Sequence, residues 1–357
     1  MKPESSKLYW IEFIRFIATI AVLLWHYQHF FYVIYDHYDF SRDLQPAYQI
    51  FRIFYHYGFF GVQVFWTISG YIFFWKYKEL ISNKNLDNHI NFKKFFILRF
   101  SRLYPLHFIT FIYVAIIQYF YYHQNNFFYI YKYNDLHHAL LNLFMAQNWF
   151  SSLYSYNAPS WSVSVEVLIY GLFFLACRFM GKFKALPVFL FIISVFLYKH
   201  RIFQCSMFFF LGGSIHYIHE KFKNMIKFFT FLILIHSLWA MSLDKYSFPY
   251  LISYLIAFIM LMHILLNKRF FEYTNIGKYV GKVISFLGSI TFSIYMLHFP
   301  VQLSIATLSS KINFTIPAYN KIFFMFFICI TLSAAIVSYF FFEKPVQSLI
   351  RKKFLKQ

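Results

Sequence analysis

The sequence predicts an all-α integral membrane protein, a bundle of about ten transmembrane helices with both termini in the cytoplasm. Three observations carry that prediction. The 357 residues are 60% hydrophobic and only 13% charged, where soluble domains carry roughly 25% charged residues. The apolar residues gather into runs, and a run of about twenty can cross a bilayer. Lysine and arginine then fall on alternate sides of successive runs. A soluble enzyme, a disordered chain and a disulfide scaffold are excluded together, because 33 basic and 13 acidic residues cannot coat the two soluble domains this length would imply. A net charge of +20 would suggest nucleic acid in a soluble chain. Here the basic residues lie between apolar spans, so they read as topology and no nucleic-acid partner is expected.

Apolar stretches occupy roughly 8–31, 53–75, 95–120, 137–150, 162–178, 185–198, 203–218, 227–243, 248–266 and 283–342. The last holds two spans divided near Lys311 to Lys321. Stretch 137–150, polar and rich in histidine, is too short to cross and is expected at the interface. Ten crossings result, with a margin of one or two because 185–198 is also short. With the N-terminus inside, twenty-four lysines and arginines face the cytoplasm and eight face outward, while Arg15 lies within the first span. No small-residue cleavage site follows the first run, so a cleavable signal is not expected. No repeat or linker stands out, and residues 1–357 are expected to form one domain without a soluble extension. Cys177, Cys205 and Cys329 lie in or beside apolar stretches with no CxxC or Cys/His spacing, which suits packing.

Ionisable groups at membrane depth are costly, so each is a candidate for function. The first span carries Glu12, Arg15 and His26. Glu12 and Arg15 are three residues apart and can pair. Arg15 and His26 are eleven apart, which returns to within roughly 20° of the same helix face and separates them by about 16 Å along the axis. The competing reading is an interfacial ion pair whose arginine snorkels to the headgroups. Glu166, at the start of another span, argues against it, since that carboxylate needs a partner and Arg15 or His26 could serve. Arg99 and Arg102, three apart at the cytoplasmic entry of the third span, form a guanidinium face that suits phosphate, with Lys93 and Lys94 beside it. Plain positive-inside anchoring is the alternative. His298, ahead of Pro300, is a weaker candidate. His29, His37, His56, His137 and His138 are expected at the interface and show no metal-ligand spacing. GxSxG, Walker A and GxGxxG patterns are absent.

In order along the chain, these segments resemble the membrane-bound acyltransferase family 3. Arg15 and His26 match its Arg-x10-His first helix, with Glu12 at the acidic position three residues before the arginine. GVQVFWTISGYIFF resembles its second helix, and Arg99-Phe-Ser-Arg102 followed by LYP resembles its Arg-x-x-Arg and "YP". WSVSVEVLIY, SFLGSITFSIYMLHFP and YFFFEKPV are similar to three later motifs. Where many members carry a polar residue after the glutamate, this chain has Val167. The resemblance covers nearly the whole chain. It implies transfer of an acyl group, commonly acetyl, from cytoplasmic acyl-CoA to a hydroxyl of a cell-surface carbohydrate or glycolipid at the outer side of a bacterial inner membrane. His26, Arg15 and Glu166 would then serve catalysis, Arg99 and Arg102 would hold the donor, and no metal is implied.

A transporter or flippase of an acidic or glycan substrate is the alternative, with Glu12, Arg15, His26 and Glu166 lining a path. Transporters tend to show two related halves with broken helices, and no such symmetry is visible. A glycan polymerase would place arginines on long outer loops, which here hold few basic residues.

Overall fold

The computed structural model describes residues 8–32, 40–86, 89–150, 153–221, 235–236 and 274–355. Among them every regular element is helical. Helix α1, Tyr9–His26, buries Trp10, Ile14, Val22 and Leu24. Helix α2, Tyr48–Tyr57, runs through a tight turn at Gly58–Phe60 into α3, Gly61–Ser82. Then follow α4, Phe92–Asn125, α5, Leu136–Leu143, α6, Trp161–Met180, and α7, Leu186–Phe196. Helix α8, Arg201–Lys221, precedes α9, Asn275–Ser289, and α10, Thr291–Lys311. The chain ends in α11, Lys321–Ser338, a π-turn at Tyr339–Glu343, and α12, Lys344–Leu355.

Lipid is the solvent for these helices, and α4 shows it. Its exposed residues Ile109, Ile112, Tyr113, Ile116 and Phe120 recur at three- and four-residue spacing, while Ser101, His107, Thr110 and Gln118 are buried. The apolar stripe faces out and the polar one faces in, the reverse of a helix in water. Five helical stretches among the described residues are long and apolar enough to cross a bilayer. A sixth results if α9 and α10, bent by 47°, count as one span. The protein is thus a multi-pass membrane protein.

The ten expected crossings exceed this number for three reasons. Stretches 227–243 and 248–266 lie outside the described residues, apart from Ile235 and His236. Helix α7 has only 11 residues, about 16 Å of rise against a hydrocarbon core of about 30 Å. Helix α8 has 21 residues but is more polar, carrying Gln204, Ser206, Ser214 and His216. Those residues are tolerated because α8 packs inside the bundle, where Phe208, Phe209 and Phe210 are all buried. Its contact with α3 depends on small residues: an added Cβ on Gly70 would meet the Phe209 carbonyl, and one on Gly212 the Thr67 carbonyl. Stretch 137–150 contains only the eight-residue α5, in keeping with a segment that does not cross. Leu136, Leu140 and Phe144 are exposed along one of its faces, as an interfacial helix requires.

Proline shapes α10. Pro300 cannot donate to the carbonyl of Met296, and that oxygen accepts instead from Asn157 Nδ2 at 3.0 Å. Tyr295 donates its hydroxyl to the Pro159 carbonyl at 2.6 Å. The segment before α6 is thereby tied to the middle of α10.

Candidate active site

Helix directions define two ends of the bundle. Gly58, just ahead of α3, packs on Ala21 and Trp25 near the end of α1, whereas Gly181, just after α6, packs on Ser82 at the end of α3. The start of α1 therefore lies towards the ends of α3 and α6. His26 lies towards the opposite end.

At the first end is a cavity of about 520 Å³, and five cations line it: Arg15, Lys76, Arg99, Arg102 and Arg351. Two carboxylates, Glu12 and Glu166, share the wall. Glu12 and Arg15 pair at 3.0 Å as their spacing predicts, and Arg15 Nη2 donates to Thr291 Oγ1 at 3.0 Å. Arg99 donates to the Tyr77 hydroxyl at 2.5 Å and stacks 4.9 Å over Phe73. Arg102 has no hydrogen-bond partner among the described residues, which leaves its whole fork for a ligand. Lys76 and Arg351 are the lining cations that the sequence did not single out. The π-turn after α11 sends α12 across α4, where Arg351 Nε donates to Ser101 Oγ at 3.1 Å. Glu343 in that turn accepts from Ser293 Oγ at 2.6 Å and anchors the turn to α10. With five cations against two carboxylates, the cavity suits a ligand with several phosphate charges.

Glu166 does not pair with His26. Its Oε1 accepts from the Tyr170 hydroxyl, one turn along α6, at 2.7 Å, and Tyr170 stacks on Phe73 at 4.3 Å. Nor does Arg15 reach His26. The two lie on one helix, eleven residues apart, so about 16 Å of helix separates them. Among the described residues neither Arg15 nor Glu166 hydrogen-bonds to His26. Both belong with Arg99 and Arg102 in the cavity.

What surrounds His26 is a second group. Its ring centroid lies 4.7 Å from His298 and 5.1 Å from His29. The hydrogen bonds fix the tautomers. His26 Nδ1 sits 2.8 Å from the Val22 carbonyl, and a carbonyl can only accept, so Nδ1 carries the proton and, in the neutral ring, Nε2 carries the lone pair. Gln302 Nε2 donates to the His26 carbonyl at 2.8 Å, which turns its Oε1 towards His29 Nδ1 at 3.1 Å. His29 Nδ1 is then a donor as well. His29 is 3% exposed, so the expectation of an interfacial residue is corrected: the helical turn His29–Tyr32 after α1 folds it under α10. His298 is buried with an unpartnered Nε2. Among the described residues no three His, Cys, Asp or Glu side chains converge as a metal would require.

Tyr295 joins the two groups. It lines the cavity, and its ring lies 5.9 Å from His298. A group of three imidazoles thus lies beyond Tyr295 in the wall of a strongly cationic cavity.

A family model for an acyltransferase domain matches residues 8–343. Neither the search of curated proteins nor that of solved structures finds a match.

Proposed function

The chain belongs to acyltransferase family 3, and from that premise we propose an integral-membrane O-acyltransferase that takes an acyl group, most simply acetyl, from cytoplasmic acyl-CoA. The acceptor in this reading is a hydroxyl of a cell-surface carbohydrate, such as lipopolysaccharide, capsule or another exopolysaccharide, outside the bacterial inner membrane. The twenty-four-to-eight distribution of basic residues supports a topology with both termini inside.

One observation carries the reading: Arg15, Arg99, Arg102 and Arg351 share a cavity whose wall residue Tyr295 adjoins the imidazole group. Coenzyme A is a polyanion joined to its thioester by a long uncharged arm. The arginines would hold its phosphates, and the arm would lead along α1 towards His26. That division assigns Arg15 to the donor and not to the reacting carbonyl. His26 Nε2, held as a lone pair by the Val22 carbonyl, would take the acceptor proton as the hydroxyl oxygen bonds to the thioester carbonyl carbon. The C–S bond then breaks, and the coenzyme thiolate leaves and recovers the proton. Glu166 orients Tyr170 in the cavity wall and supports the donor site.

Purified protein in lipid nanodiscs, given radiolabelled acetyl-CoA and surface glycan, should place alkali-labile label on the glycan. Unlabelled glycan with intact donor would refute the proposal. Reporter fusions at Gln357 and within Asp36–Asp43 should fall on opposite sides of the membrane, and the same side for both would refute the topology.

A further inference from the structure

Arg201 opens α8 near the start of α6, at the His26 end of the bundle. Its guanidinium lies 4.5 Å over the ring of Tyr154 and 4.9 Å over that of Trp161. Two aromatic faces hold the cation in a fixed plane while its N–H edges stay available. Those edges are unused: no described residue accepts from Arg201, and its Nη1 is buried without a partner. No carboxylate neutralises it, since among the described residues the Arg–carboxylate pair is Arg15 with Glu12. A membrane anchor would extend its charge into headgroup water. This arginine instead turns a nitrogen inward.

The aromatic faces do not stop at Arg201. Tyr154 lies 6.0 Å from Tyr131, Tyr131 lies 5.7 Å from His29, and His29 lies 5.1 Å from His26. A run of rings therefore leads from the unpaired guanidinium to the imidazole group. Aromatic faces accept the apolar C–H face of a sugar, while a guanidinium fork recognises a carboxylate or phosphate with two parallel hydrogen bonds.

We propose that Arg201, framed by Tyr154 and Trp161, is an acceptor subsite for an acidic sugar, binding its carboxylate or phosphate while the adjoining sugar lies along Tyr154 and Tyr131 towards His26. The inference rests on the reading that the His26 end receives a glycan. It adds that this glycan is anionic near the acylated residue.

The test is direct binding to the full chain in zwitterionic nanodiscs. Three probes are titrated by calorimetry: an oligouronide, its carboxyl-reduced counterpart, and an oligosaccharide of neutral sugars whose only charge is one sugar phosphate. The wild type should bind one of the acidic probes at least about tenfold more tightly than the reduced one, a difference of about 1.4 kcal/mol. The preferred probe identifies carboxylate or phosphate. Arg201→Gln should abolish the preference, and Arg201→Lys should restore only part of it, because an ammonium lacks the planar fork. Acyl-CoA binding at the far cavity should be unchanged in both. Tyr154→Ala, a change at a residue 38% exposed, removes one of the two rings that hold the guanidinium, so it should weaken the acidic probes more than the reduced one, and it serves if the Arg201 variants do not fold. Equal binding of acidic and reduced probes by the wild type, or a preference that survives Arg201→Gln, overturns the subsite. Acidic binding without any acyl transfer would instead overturn the proposed reaction and leave the subsite standing.

Discussion

Gln302 links His26 to His29: its amide nitrogen donates to the His26 carbonyl at 2.8 Å, and its amide oxygen lies 3.1 Å from His29 Nδ1. Gln302 comes from α10 and the two histidines from the first span and its extension. One side chain therefore fixes both the path of the backbone at the end of α1 and the tautomer of a neighbouring imidazole. Its own orientation is determined, because a backbone carbonyl leaves its nitrogen no other role.

His26→Ala should remove acyl transfer by roughly 10²–10⁴ in rate while acyl-CoA affinity stays near wild type. Gln302→Ala should lower kcat more than it changes donor KM, since it releases the end of α1 without touching the cationic cavity. Single-turnover transfer and donor titration on each variant separate these effects. Wild-type transfer by His26→Ala would leave His298, with its unpartnered Nε2, as the base.

Arg102→Ala should weaken acyl-CoA binding by ten- to a hundredfold, about 1.5–3 kcal/mol, the cost of a lost charge-assisted contact. Arg99→Ala should lose affinity and also stability, because Arg99 bonds to Tyr77 and stacks on Phe73. Donor binding and thermal unfolding measured together distinguish them: Arg102→Ala lowers the first alone, Arg99→Ala both.

Arg351→Ala should raise the KM for acyl-CoA several-fold with little change in kcat, though Arg351 lies beyond residues 8–343 of the family match. Glu343→Gln should act in the same direction but more weakly, by loosening the turn that carries α12 over α4. An unchanged KM in Arg351→Ala would reduce this arginine to a clasp on Ser101.

Asp135 caps α5, accepting from the His138 backbone N–H at 3.0 Å and from His138 Nδ1 at 2.7 Å. These contacts, the backbone one foremost, hold its carboxyl below the usual carboxylate range. A lowered folded pKa means that the stabilisation is fully present above the ordinary carboxylate pKa and is lost as pH falls through the lowered one. Asp135→Ala should destabilise α5 by about 1 kcal/mol at neutral pH. Hydrogen exchange of the α5 amides should show it, and acidification should bring the wild type towards the variant.

The sequence by itself determined what a single helix determines. Hydropathy marked the spans because a bilayer demands apolar runs of a set length, and the three-residue spacing of Glu12 with Arg15 gave a real ion pair because i and i+3 share a helix face. The Arg99 and Arg102 pair was legible for the same reason, and both line the cavity. Spacing also gave Arg15 and His26 a shared face about 16 Å apart along the axis, and the structure sets Arg15 in the cavity and His26 among His29 and His298. Which helices abut was decided by the packing of the whole bundle. Gln302 meets His26 across 276 residues of sequence, and Arg351 meets Ser101 across 250. No local pattern encodes such encounters, since they depend on where Gly70 lets α8 close on α3, where Pro300 frees a carbonyl for Asn157, and where the π-turn after α11 aims the last helix.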